Sequence, residues 1–224
     1  ADPLPVHGPS GVEEIVAGFG AAYRRDAGYR VAHHGAATVP PSGAGMVAVP
    51  FAVPAPDEAP LVYSAGELEV RAFLVDHAPV EPAVGYRFDY RGRSVVVSGD
   101  TAKSPNLEAR AEGVDLLVHE ALSPELVGRL HAAAQMAGRA NLAKITADIP
   151  DYHTSPVEAA QIARAAGVRH LLFYHVVPPL PVPGLDVAFL AGVDDAYDGG
   201  VTLGRDGTLV SLPSGSDAVE VGER

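Results

Sequence analysis

Apolar and polar positions along this chain follow two periods, and the switch between them lies near residue 100. Before it, short β-branched and aromatic runs dominate. Leu4 to His7 reads as a strand, and Val12 to about Arg25 has helical spacing, with Ile15, Val16, Phe19 and Tyr23 on one face. Ser10 with Glu13 three residues later forms a capping box for that helix. Val39 to Ala59 is rich in Pro, Gly and Ala, with one strand-like patch, MVAVPFAV. Leu61–Ser64 reads as a strand, and Glu67–Asp76 alternates at first and then turns apolar, as a strand entering a core does. Val84–Tyr90 and Ser94–Ser98 form a hairpin turning at Arg91 and Gly92.

After residue 100 helices alternate with apolar strands. The pattern predicts helices over Leu107–Glu112, Pro124 to about Lys144, Ser155–Ala166 and Val187–Tyr197. Ser155, Pro156 and Glu158 give the third of these a cap, a first-turn proline and a capping box. Val114–Val118 and Val168–Tyr174 read as strands, Val201–Leu203 and Thr208–Leu212 as a closing hairpin, and residues 214–224 as a frayed polar tail. Strands first and helix–strand alternation afterwards predict one layered α/β domain over residues 1–224.

Composition narrows the picture. The chain has 224 residues, enough for one full domain, and 47% of them are apolar. None of the apolar runs reaches the ~20 residues a membrane helix needs, so no membrane partner is expected. The net charge is −12 without a basic stripe, which argues against nucleic acid as a partner. There is no cysteine, so any zinc-type site must be built from His, Asp and Glu. Nothing in the composition decides between cytoplasm and periplasm.

Those residue types gather at strand ends. SVVVSGDT is a buried run that stops at Gly99 and presents Asp100. Three other apolar runs end in histidine: FLVDH at His77, DLLVH at His119 and HLLFYH at His175. DYHTSP offers His153 just before a helix start. Carboxylates and imidazoles at the C-terminal ends of strands are placed where α/β sheets put their chemistry. His119 reads as structural, bonded to a backbone carbonyl.

VDHAPVEPAVGYRF, VVVSGDT, LLVHEA, DYHTSPVEAA and LLFYH resemble, in order and spacing, the metallo-β-lactamase fold, and most closely its ribonuclease Z and arylsulfatase-like branch. LPVHGPSGVEEI resembles the segment that follows the main metal motif of that family. The resemblance implies a four-layer αββα sandwich of which this chain forms the C-terminal two-thirds. It implies that His77 and His175 are metal ligands, that Asp100 bridges two metals, and that His153, oriented by Glu120, is the catalytic imidazole that polarises the substrate or protonates the leaving group. It also implies two divalent ions as cofactor, zinc foremost, although manganese and iron accept the same donors. His33 and His34, in a Gly-bounded AHHG loop, are expected to line the substrate pocket.

The family's His-x-His-x-Asp-His motif is absent from these residues. In the family it precedes the LPVHGPSG segment, so it would lie upstream of Ala1. The three remaining ligands are expected to hold at most one ion weakly, leaving the isolated chain impaired. The missing strands are expected to leave a sheet edge open to homodimer formation or poor solubility. VVPPLPVPG follows His175 in place of the continuation typical of tRNA-processing members. With the acidic charge, this points to hydrolysis of a small-molecule ester, sulfate ester or phosphodiester. The alternatives are an inactive binding or scaffold module and a tRNA 3′-processing endoribonuclease.

Overall fold

The computed structural model describes residues 2–223. The chain forms two compact units, Ala1–Val53 and Pro54–Arg224.

In the first unit β1 (Leu4–Pro9) pairs in parallel with β2 (Met46–Phe51), and α1 (Val12–His34) provides the crossover that a parallel pair requires. The helix runs nine residues beyond the expected end at Arg25. Its second half has no proline and only Gly28 as a weak point, and a single internal glycine costs roughly 1 kcal/mol, too little to stop it. Its N-cap is Gly11 rather than Ser10, and the Glu13 carboxylate accepts from the Gly11 N–H at 3.0 Å. Of the expected apolar face only Val16 is buried, while Ile15, Phe19 and Tyr23 are exposed.

The second unit is built on a seven-stranded sheet. In spatial order it runs β3 (Leu61–Ala65), β4 (Leu68–Leu74), β5 (Val84–Tyr90), β6 (Arg93–Val97), β7 (Leu116–Leu122), β8 (His170–Val177) and β9 (Gly200–Leu203). Pairs up to β5–β6 are antiparallel, and from β6 to β9 they are parallel. This is the physical origin of the change near residue 100, since each parallel step needs a helical crossover. The crossovers are α2 (Pro105–Arg110), then α3 (Pro124–Met136), α4 (Ala140–Asp148) and α5 (Pro156–Ala165), then α6 (Leu185–Phe189) and α7 (Val193–Ala196). The architecture is mixed α/β, as the sequence pattern predicts.

Three elements differ from expectation. The long helix from Pro124 breaks into α3 and α4 at Gly138, whose φ of 65° no helix accommodates. The helix expected over Val187–Tyr197 is two short ones, α6 and α7. The closing hairpin does not form: β9 joins β8, and β10 (Thr208–Ser211) pairs antiparallel with β11 (Glu220–Glu223) inside the supposed frayed tail. The buried Arg93 explains the tail's order. Its guanidinium donates to the carbonyls of Pro213, Ser216 and Ala218 while paired with Asp115 at 3.0 Å.

The core lies between the parallel strands and α5. Ala159, Ala160, Ile162 and Ala163 of α5 are fully buried, as are Leu117, Leu171 and Phe173 of the sheet, and Phe173 meets Phe189 edge to face at 5.7 Å. Each large side chain so buried stabilises the fold by about 1.5–3 kcal/mol. This packing fixes the ends of β6, β7 and β8, where the chemistry-bearing residues stand.

Candidate metal centre

Asp100 follows the end of β6. The turn that presents it needs glycine at 99, where φ is 68° and a Cβ would sit 2.7 Å from the Val84 carbonyl oxygen. Next to it Thr101 ties two loops together. Its hydroxyl accepts from the Asp76 N–H at 3.1 Å, and the Ala102 N–H donates to the Asp76 carbonyl at 2.7 Å. Asp76 immediately precedes His77, so the His77 and Asp100 loops are fastened side by side.

Glu120, on β7, is completely buried and joins a third loop to these two. Its Oε1 accepts from the Thr101 N–H at 3.0 Å, the Thr154 N–H at 3.3 Å and His153 Nδ1 at 2.9 Å. The Thr154 hydroxyl donates to the Thr101 carbonyl at 2.6 Å and closes the ring of contacts. Glu120 Oε2 has no hydrogen-bond partner in the described structure.

His175 is presented by an irregularity in β8. Glu120 pairs with Tyr174 but Ala121 pairs with Val176, so His175 is the extra residue between them. It has φ 43°, one of only two non-glycine residues with positive φ among those described. A left-handed backbone costs an L-residue about 1–2 kcal/mol, and such conformations concentrate at functional sites.

The structure therefore brings together all five residues expected at the site. The His77 and His153 rings lie 5.2 Å apart, and those of His153 and His175 stack at 5.7 Å. His175 Nδ1 lies 3.6 Å from Asp100 Oδ1. Glu120, His153 and His175 each offer a ligand atom, all within 4.8 Å of one another. His33 and His34 belong to the first unit, in the last turn of α1 rather than in a loop. Sequence reasoning missed Thr101, Thr154 and Ser98, whose partners are brought near only by folding; their positions beside Asp100, His153 and Gly99 were the available signal.

Burial alone would lower the His153 pKa. The hydrogen bond to Glu120 and the charges of Glu120 and Asp100 outweigh it, and the net direction is up. Tyr174, on the neighbouring strand position, is pushed up mainly by burial, with Asp100 and Glu120 adding to the shift. His77 Nδ1 is 2.9 Å from the Tyr152 carbonyl, an acceptor only, so Nδ1 carries the proton and Nε2 keeps its lone pair.

Glu120, His153 and His175, the described residues whose ligand atoms converge, are of a chemistry that could hold a divalent cation. Imidazoles whose far nitrogen is fixed by a carbonyl or carboxylate are the usual metal-ligating kind. The 3.6 Å between His175 and Asp100 is too long for a hydrogen bond. It is near the ~3.3–3.5 Å separating two ligands on one tetrahedral ion with ~2.0–2.1 Å bonds.

A beta-lactamase superfamily domain matches residues 3–176. The chain belongs to the beta-lactamase superfamily. Among similar proteins is the Ribonuclease Z of Mycobacterium avium (strain 104), 36% identical over 204 residues, which are 91% of this chain and 65% of that protein. The Ribonuclease Z of Mycolicibacterium gilvum (strain PYR-GCK) is 34% identical over 220 residues, 98% of this chain and 70% of that one. The chain thus spans about 65% of the length of the first of these superfamily relatives. Among solved structures, the metallo-beta-lactamase fold protein YhfI from Bacillus subtilis superposes with a TM-score of 0.57 at 19% identity, covering 98% of this chain and 66% of that one. Human tRNase Z, short form, gives 0.50 at 16% identity, covering 79% and 62%. At these identities the two structures establish the superfamily fold alone.

The relatives named Ribonuclease Z overturn the expectation that the partner is a small molecule and nucleic acid is disfavoured. The physical error lies in using a molecular sum. A net charge of −12 governs the distant field, whereas a scissile phosphate responds to the charges within a few ångströms of it, a bound cation above all. Among the described residues no helix is long and apolar enough to cross a membrane.

Proposed function

We propose that this chain carries the catalytic face of a metal-dependent phosphodiesterase acting on RNA, of the Ribonuclease Z type that trims tRNA 3′ ends. The observation that carries the reading is the Glu120–His153 pair set beside His77, Asp100 and His175 at the strand ends. His77, Asp100 and His175 would hold the divalent cation, zinc foremost. A bound cation of this kind activates water and stabilises charge on phosphate oxygens. The three ligands suffice for one weakly held ion, and the second ion of the family's pair needs donors that the 224 residues do not contain.

The chain's own residues handle the proton. Glu120 Oε1 is immobilised by two backbone N–H groups, so it fixes the His153 ring through Nδ1. With Nδ1–H engaged, protonated His153 offers Nε2–H to the leaving oxygen, and the upward direction of its pKa favours that acid form. Thr101 and Thr154 hold the loops of Asp100 and His153 in register.

The test is incubation with a 3′-extended tRNA precursor and Zn2+ or Mn2+. Slow, metal-dependent cleavage at one position is expected, falling about 10²–10⁴-fold in His153→Ala. RNA left intact even when a His-x-His-x-Asp-His segment is joined upstream of the chain would overturn the reading.

A further inference from the structure

His119 is a fully buried histidine at the heart of β7, beside the metal centre but outside the donor set. Its Nδ1 is 2.6 Å from the backbone carbonyl of Glu120. A carbonyl oxygen only accepts, so Nδ1 carries the proton and Nε2 is bare; Nε2 has no partner among the described residues. A core position that wanted only volume would be served better by leucine, since a buried nitrogen without a partner destabilises the fold. The imidazole is explained by its Nδ1–H.

The carbonyl it binds lies at a place of unusual demand. The β6–β7 ladder ends at the Val97–Val118 pair, two residues before Glu120. Past that point, on the β6 side, side chains take over the Glu120 backbone groups while β7 stays paired with β8 on the other. Its N–H donates to Ser98 Oγ at 3.0 Å, and its carbonyl accepts from His119. The register irregularity that produces the left-handed His175 follows immediately, between Glu120 and Ala121. One short stretch of strand thus sets the Glu120 carboxylate, the His153 ring bonded to it, and the offset opposite His175.

We propose that His119 is a positioning residue for the metal centre, acting through the Glu120 carbonyl to hold the metal ligand His175, and the Glu120–His153 pair beside it, in place. The proposal rests on the metal-centre reading above. Asparagine places an amide nitrogen where Nδ1 of histidine lies, and glutamine places one where Nε2 lies. His119→Asn therefore keeps the clamp, and His119→Gln removes it at similar size and polarity.

The experiment titrates Zn2+ alone into the full chain against a chromophoric chelator, with thermal melts of the metal-free proteins alongside. His119→Gln is expected to weaken zinc binding about 10–100-fold, the usual effect of losing a partner that orients ligands, while His119→Asn stays within a few-fold of wild type. Equal zinc affinities for the two folded variants would overturn the positioning role. A wild-type chain that binds no zinc would instead overturn the metal-centre reading, so the two failures are distinguishable. Should His119→Gln fail to fold, a folded His119→Asn with weakened zinc binding would still refute the proposal, and one with unchanged zinc binding would support it.

Discussion

At the scale of single residues, the histidines of this chain show how environment divides one side chain into different roles. His153 is held by a buried carboxylate and shifts up; His170, beside Thr202 with its Nε2 2.8 Å from Oγ1, shifts down through burial alone. His119 shifts the same way as His170, chiefly because it is wholly enclosed. The sign for stability follows directly. With a folded pKa below the ordinary 6.5, His170 binds its proton more readily in the unfolded chain. The stability it permits is complete above pH 6.5 and is lost as pH falls through 6.5 and then through the folded value. His170→Gln keeps a polar atom near Thr202 and does not titrate. Urea denaturation at pH 7.5 and 5.5 should show a smaller loss on acidification for the variant than for wild type; equal losses would contradict the assignment.

At the scale of elements, the runs that form strands were legible, and their ends and connections less so. The β-branched run before Gly99 and the capping box at Ser155 are local signals that the structure holds, the box with both of its hydrogen bonds, whereas β4 stops at Leu74, short of His77, and β8 runs on to Val177, past His175. The break in the Pro124 helix was missed because alanine-rich flanks mask one glycine. The pairing of β10 with β11 was missed because its cause is 120 residues away. Arg93 on β6 reaches the carbonyls of Pro213, Ser216 and Ala218, and no window along the sequence shows that. Replacing Arg93 by methionine would leave Asp115, among the described residues, with only the half-exposed Arg169 as ionic partner, at 3.3 Å, and would release the 213–218 segment. A loss of about 3–5 kcal/mol is expected from breaking a buried pair in this way. Limited proteolysis should show new cleavage within 213–218; a segment as resistant as wild type's would refute the anchoring role.

At the scale of the whole molecule, the family pattern was legible from five short motifs because each sits where a sheet end meets a loop, and the packing of α5 against β7 and β8 keeps those ends together. The expectation of a small molecule over nucleic acid, which the relatives named Ribonuclease Z overturn, failed because charge was summed over the molecule rather than assessed at the site. What the sequence could not show is the scaffolding behind the ligands: the Thr101–Glu120–Thr154 ring and the left-handed backbone of His175 exist only once three loops converge. We propose that this convergence binds a divalent ion through His77, Asp100 and His175. The most direct test is zinc content by elemental analysis after equilibrium dialysis of the wild-type chain and Asp100→Ala. About one zinc per chain in the wild type, with at least a tenfold weaker uptake in the variant, is the result expected. Zinc uptake unchanged by the substitution, or absent from both proteins, would contradict it.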